Sequence, residues 1–176
     1  MDDKDTGMNS IAILKRFRLR VLPDQVLRKV CTDIETFDKR LQRFAKKMLL
    51  FMRSSGGIGL AAPQVGVLQR IVVAGVRDHD GGMVLVNPSI IPIAADSDTK
   101  IEGCLSIPGE TYTVTRRFQI EVRARDAEGR RLHFAAHNLI ARVIQHEVDH
   151  LDGVLICDKE AGGTERLERG IGNADI

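Results

Sequence analysis

No stretch of this sequence approaches the roughly 20 consecutive apolar residues that a membrane-spanning helix needs, so a spanning helix is not expected. An excess of one charge is missing too. The 26 basic and 24 acidic side chains leave a formal net charge of +2, which gives no electrostatic case for nucleic acid or a membrane surface as the chief partner. Cysteine is scarce and odd in number, at positions 31, 104 and 157. That count argues against a disulfide framework, and reduced thiols are expected. Cys31 and Cys157 read as small buried hydrophobes. The opening residues, MDDKDTGMNS, lack the basic start, apolar stretch and small-residue cleavage site of a secretory leader. They are also acidic where an organelle transit peptide would be Arg-rich, so a cytoplasmic protein is expected. There is no internal repeat and no low-complexity tract.

What is present suits one globular domain. The chain has 176 residues, 43% apolar and 28% charged, enough for one sizeable core. Residues 1–10 read as a loose arm, 11–160 as one domain and 161–176 as a short tail. In that tail Ala161-Gly162-Gly163-Thr164 breaks structure, and only a weak helix from Glu165 to Arg169 could form.

The spacing predicts a helix over Asp38–Ser54. Leu41, Phe44, Ala45, Met48, Leu49 and Met52 form one apolar stripe. Lys39, Arg40, Arg43, Lys46 and Lys47 lie largely off it and read as a solvated basic face. Gly56-Gly57 stops the helix. A β-rich middle follows. Arg70–Val76 reads as a buried strand. The loop Asp78–Gly82 leads to a strand over Met83–Val86, and Asn87-Pro88 breaks it before a short strand at Ile90–Ala94. Arg117–Arg125 alternates, with Phe118, Ile120, Val122 and Ala124 on one face, and turns at Glu128-Gly129 into Arg131–Ala135. A second helix spans about His137–Leu151, with Asn138 a plausible N-cap. Helix, strands, helix is an α+β order, not alternating βαβ. The expected fold is antiparallel or mixed β-sheets packed around the second helix, with the first helix N-terminal to them.

That second helix carries His146-Glu147-Val148-Asp149-His150, an H-E-x-x-H pattern. Histidines four apart lie about 40° apart around a helix, so both imidazoles can grip one ion. Glu147 projects about 60° from His150, beside such an ion without ligating it. The surrounding helix is mostly apolar, through Leu139, Ile140, Val143, Ile144 and Leu151. Only Arg142, Gln145, Asp149 and Asp152 form a polar strip. An unpartnered His-Glu-His on a buried helix would be costly. A catalytic site needs a third ligand and an open position for water. His79, His133, His137, Cys104, Glu165 and Glu168 are the candidates. Cys104 has the most suggestive surroundings, Gly103-Cys104-Leu105-Ser106-Ile107-Pro108-Gly109, which read as turning backbone rather than a long strand. Taken alone it would pass for core filler.

Three segments together resemble the signature motifs of the peptide deformylase family. They are Gly57-Ile58-Gly59-Leu60-Ala61-Ala62-Pro63-Gln64, Glu102-Gly103-Cys104-Leu105-Ser106, and Gln145-His146-Glu147-Val148-Asp149-His150-Leu151-Asp152-Gly153. The likeness covers about residues 12–160. It implies one divalent metal held by Cys104, His146 and His150, with Fe²⁺ the physiological ion and Zn²⁺, Ni²⁺ or Co²⁺ possible in purified protein. It implies hydrolysis of the formyl group of N-formylmethionyl peptides to formate, with Glu147 as acid/base and with Gln64 and the Leu105 N–H as oxyanion donors. Ile58, Gly59, Glu102, Gly103, Leu139 and Val143 are implied at the peptide site. Arg116 and Asp149 are expected to pair behind the metal helix. Transient association with the ribosome, no recognition of nucleic acid sequence, no membrane, and a monomer or homodimer complete the expectation.

Two departures from the family pattern stand out. His137-Asn138 replaces a usual Glu-Gly, and Thr111 stands where an arginine is often found. Two rival readings remain at this stage. One is a peptidase whose third ligand is Glu165 or Glu168. The other is a deformylase-like fold kept for binding.

Overall fold

The computed structural model describes residues 17–75, 82–93 and 95–161. The arm at 1–10, His79 in its loop, and the tail with Glu165 and Glu168 lie outside the described residues.

Among the described residues, two α-helices and seven strands make up the core. Helix α1 is Lys39–Ser54 and helix α2 is Asn138–Leu151. The strands are β1 Gly59–Ala61, β2 Ile71–Ala74, β3 Met83–Pro92, β4 Ser97–Cys104, β5 Ile107–Arg117, β6 Gln119–Arg125 and β7 Arg131–His137. One sheet has the order β1-β2-β3-β6-β7, and β4 and β5 form a separate hairpin. Every strand ladder is antiparallel.

The sheet lies between the helices, and its side-chain alternation sorts residues to one or the other. Leu60, Ile71, Val73 and Val86 pack with Leu41, Ala45, Met48 and Met52 of α1. Ala61, Val72, Leu85, Ile120 and Val122 pack with Ala141, Ile144, Val148 and Leu151 of α2. Strand β2, Ile-Val-Val-Ala, is therefore wholly buried although its sheet is antiparallel, because both of its faces are covered. Cys31 joins the α2 side of this core. A smaller cluster of Leu27, Ile107, Val114, Leu155 and Ile156 fixes the β4–β5 hairpin to both ends of the described chain.

Several expected boundaries move, each for a local reason. Helix α1 starts one residue late because Asp38 is its cap, accepting from the N–H groups of Arg40 at 2.8 Å and Leu41 at 3.0 Å. Strand β3 runs straight through Asn87-Pro88, and a register shift between Val86 and Ser89 absorbs the proline. Asn87 adopts φ 50° there, and its side chain exchanges two 2.9 Å hydrogen bonds with the backbone of Ile34. The segment expected to be turning backbone around Cys104 is instead the tip of a long hairpin, with Cys104 ending β4.

The single strand expected over Arg117–Arg125 is divided. Strand β5 ends at Arg117 and β6 begins at Gln119, which leaves Phe118 exposed at the corner rather than on the apolar face. At the start of α2, His137 holds the cap position without a side-chain cap bond. Asn138 takes φ 53°, the left-handed backbone that asparagine tolerates better than most residues. Cys157 is only half-buried, packed at the edge of the small cluster around Leu27, with Arg28 3.7 Å away.

Candidate functional site

Two elements meet at the site. Helix α2 supplies His146, Glu147 and His150, and the end of β4 supplies Cys104. One atom from each of Cys104, His146 and His150 lies within 4.8 Å of the others. Cys104 Sγ is 3.2 Å from His150 Nε2, and the two imidazole rings stand 5.1 Å apart, edge to face. Among the described residues this is the one group of three or more His, Cys, Asp or Glu side chains able to share an ion. His133 is exposed on β7 and pairs with Glu121 at 3.2 Å, away from the site.

His146 is oriented from behind. Its Nδ1 lies 2.9 Å from Glu102. A carboxylate only accepts, so Nδ1 carries the proton and Nε2 is left to face the site. Glu102 is itself gripped by Arg116, through Nε at 2.7 Å and Nη2 at 2.9 Å, and by Arg142 Nη1 at 2.6 Å. Arg116 reaches on to Asp149 of α2 at 2.6 Å. Arg142 also donates to the backbone oxygens of Val114 at 3.0 Å and Asp98 at 2.8 Å. The polar strip of α2 is thus partly buried. Arg142 turns inward and Gln145 bonds the Arg117 backbone. The network staples the hairpin bearing Cys104 to the helix bearing both histidines.

Burial and neighbours set the ionisation of these groups. Burial alone would raise the Glu102 carboxyl, but hydrogen bonds from His146 and Arg116, and their charges, overcome it and hold the group well below the usual carboxylate range. Glu147 has no such donors. Burial pushes its carboxyl up to about 7, and its Oε2 is buried with no hydrogen-bond partner among the described residues. Burial, with the charges of His146 and Arg116, drives His150 well below its ordinary value, so it is neutral. For His146 burial acts downward, but Cys104, Glu102 and Glu147 outweigh it and carry the imidazole up to about 10 without an ion. A cation entering the site displaces that proton.

Gln64 is 1% exposed. Its Oε1 accepts from the Ala61 N–H at 2.8 Å, and its Nε2 faces Ser106 Oγ at 3.2 Å and Cys104 Sγ at 3.7 Å. The amide therefore points its donors at the site.

Ser106 and Arg142 are two residues that sequence reasoning left without a role. Ser106 is fully buried against Gln64, and its only signal was its place two residues after Cys104. Arg142 was marked only as part of the polar strip of α2.

A cleft of about 650 Å³ opens beside these groups. Ile58, Gly59, Gly103, Leu105, Leu139 and Val143 are among its lining residues. Strand β1 is an edge strand. The Ile58 carbonyl accepts from the Gly75 N–H at 2.9 Å, towards β2. By strand alternation the Gly59 N–H and C=O face the open edge. Glycine is required there, since a Cβ would lie 2.2 Å from Glu147 Oε1 and 2.9 Å from Val143 Cγ1. Gly59→Ala is expected to displace Glu147 and lower kcat/KM by at least about tenfold, as small misplacements do. Steady-state kinetics with a crystal structure of the variant checks this.

The donor set fits a divalent ion. One thiolate and two imidazoles converge, the soft and borderline ligands of Zn²⁺ or Fe²⁺. The orphaned Glu147 Oε2 stands next to them, in need of a partner.

Comparison with known proteins gives the family. The family model described as polypeptide deformylase matches residues 17–165. A peptide deformylase of Desulforudis audaxviator is 39% identical over 153 residues, 86% of this chain and 98% of that protein. One from Prochlorococcus marinus is 46% identical over 141 residues, 78% of this chain and 70% of that protein. Among solved structures, the peptide deformylase of Thermotoga maritima superposes with a TM-score of 0.79 at 38% identity, covering 82% of this chain and 97% of that one. The Synechococcus elongatus enzyme in complex with actinonin gives 0.78 at 42% identity, covering 82% and 78%.

Proposed function

Because this chain belongs to the peptide deformylase family, and so is a metal-dependent enzyme that removes the formyl group from the N-terminus of nascent peptides, we propose that Cys104, His146 and His150 hold its ion and that Glu147 moves its proton. The carrying observation is the meeting of Cys104 with two imidazoles more than 40 residues away along the chain. The bound ion would polarise the formyl carbonyl and lower the pKa of a water beside it.

The chain's own groups do the rest. Glu147, with a carboxyl near neutrality and an unpartnered oxygen, takes the proton of the attacking water and gives it to the departing amine nitrogen. The Gln64 side-chain amide and the Leu105 N–H donate to the oxyanion as the carbonyl becomes tetrahedral. The peptide lies along β1 as an added strand, bonded through Gly59, with Gly103 on the facing wall. The methionine side chain rests against Ile58, Leu139 and Val143. Glu102 contributes through His146 rather than by touching substrate, since both of its oxygens are engaged.

Fe²⁺ is the proposed physiological ion, with Zn²⁺, Ni²⁺ or Co²⁺ able to occupy the same donors. Residues 11–160 act as one catalytic domain, and one chain supplies every group named, so a monomer suffices. No helix among the described residues is long and apolar enough to cross a membrane. A nascent-chain substrate places the work in the cytoplasm, in transient contact with the ribosome.

The test is formate release from formyl-Met-Ala-Ser with metal content measured under anaerobic conditions. One ion per chain and stoichiometric formate are expected. Removal of the ion by chelator abolishes release and lowers Tm, and re-addition restores both. Full metal occupancy without formate would overturn the proposal.

The bracing network makes a separate prediction about stability. Arg142→Met removes one of the cations around Glu102, and its loss is expected to cost about 3 kcal/mol, as for other broken buried pairs. Urea denaturation of the metal-loaded protein measures it.

A further inference from the structure

Helix α1 contains six basic residues and no acidic one, in a chain whose overall charge is nearly balanced. At about 100° per residue, Lys39, Arg43, Lys46, Lys47 and Arg53 fall on one stripe, with half-buried Leu50 between them, opposite the buried Leu41, Ala45, Met48 and Met52. Arg40 flanks the stripe. Elsewhere the arginines are mostly spoken for: Arg20, Arg28, Arg70, Arg116, Arg123, Arg130 and Arg142 all sit in ion pairs. Arg43, Lys46 and Arg53 are exposed and make no ion pair among the described residues. Lys39 bonds only the neutral Gln42, at 3.2 Å. Lys47 is held 4.0 Å over the Phe17 ring. Of the acids near the helix, exposed Glu35 shares a groove with Arg40, at the flank of the stripe, and others are engaged. Asp38 caps the helix, and Asp126 and Glu128, across a groove from Lys46, are bridged by Arg130.

We propose that this stripe is a docking surface for the phosphate backbone of RNA, carrying the enzyme to the RNA-rich particle from which its nascent substrate emerges. The proposal rests on the function assigned above for its biological sense, but its binding test does not. Rows of cations about 20 Å long match a polyphosphate, and such binding reads no base sequence. A lipid surface fits less well. A membrane-lying helix needs an apolar face to insert, and that of α1 is already buried in the core. The position also serves catalysis. The C-terminal end of α1 runs directly into Gly56-Gly57-Ile58-Gly59, which line the cleft, so docking α1 sets the cleft mouth at the RNA surface.

The experiment uses the full, metal-loaded chain and a fluorescent RNA hairpin, read by anisotropy across a salt series. With about four phosphates neutralised, affinity is expected to fall about 50-fold between roughly 100 and 300 mM monovalent salt. In the triple variant Arg43→Gln, Lys46→Gln, Arg53→Gln the logarithmic salt slope should drop by about 3, while formate release from a free formyl tripeptide and Tm stay unchanged. Absence of RNA binding at low salt, equal binding by the triple variant, or tighter binding to phosphatidylglycerol vesicles than to the hairpin would each overturn the proposal. Loss of formate release in the parent chain would instead sink the functional assignment and leave the RNA result standing.

Discussion

Glu147→Gln is expected to lower formate release at least about a thousandfold, within the range that general acid–base groups contribute, while metal content stays at one ion per chain. Glu147 is not among the converging ligand atoms, so its loss removes proton transfer and leaves the donor set whole. The same substitution carries a stability signature. The carboxyl is pushed up by burial from 4.5 to about 7. Between those values the folded, metal-free chain binds more protons than the unfolded one, so its stability falls as pH rises through the window. Glutamine cannot ionise and escapes that loss. Metal-free Glu147→Gln should therefore melt above the parent at pH 8, with the gap closing towards pH 4. Scanning calorimetry at both pH values, beside the formate assay, checks both halves. A variant with near-parental turnover would remove Glu147 from the mechanism.

Cys104→Ala is expected to weaken metal binding by more than about a hundredfold, since even loss of a residue behind the ligands costs 10–100-fold. Formate release should fall with occupancy. The fold should persist, because Cys104 lies at the edge of the small cluster around Leu27 and Val114 rather than in either main core. Competition with a chromophoric chelator gives the affinity, and circular dichroism tests the fold. This variant also discriminates against a peptidase-type site completed by Glu165 or Glu168. Such a site would keep its ion when the thiol is gone and lose it in Glu168→Ala.

These two predictions draw on features that were unequally visible in the linear chain. The helices were readable because their periodicity is local. Asp38 and Gly56 punctuate α1, and the i,i+4 histidines of α2 need no other part of the protein to share a face. The hairpin of β4 and β5 was not readable. Its residues are largely exposed, with Lys100, Ile101 and Thr111 facing outward, so no apolar alternation marks it, and the Gly-Cys-Leu-Ser-Ile-Pro-Gly stretch looks like a turn. Strand β3 was cut in two on paper for a similar reason. Asn87-Pro88 is a break by local rules, and only pairing with β6 and the Asn87 bonds to Ile34 carry the strand across it. The role of Arg142 was not readable either, because helical periodicity assigns a face but not what packs against it.

By itself the sequence determined the α+β order, the two amphipathic helices, the pair of imidazoles with a carboxylate between them, and the three motifs whose company identifies the family. All of these depend on residues within a few turns of one another, or on residue identity alone. Only the tertiary structure decided that Cys104 reaches His150 across 46 residues, that Glu102 orients His146 across 44, and that Gln64 turns its amide to Cys104 across 40. It also decided that Gly59 must be glycine because Glu147 lies against it. Contacts between distant segments follow from strand register and from how a helix seats on a sheet. Those are settled by the burial of the whole core, and no local pattern of residues encodes them.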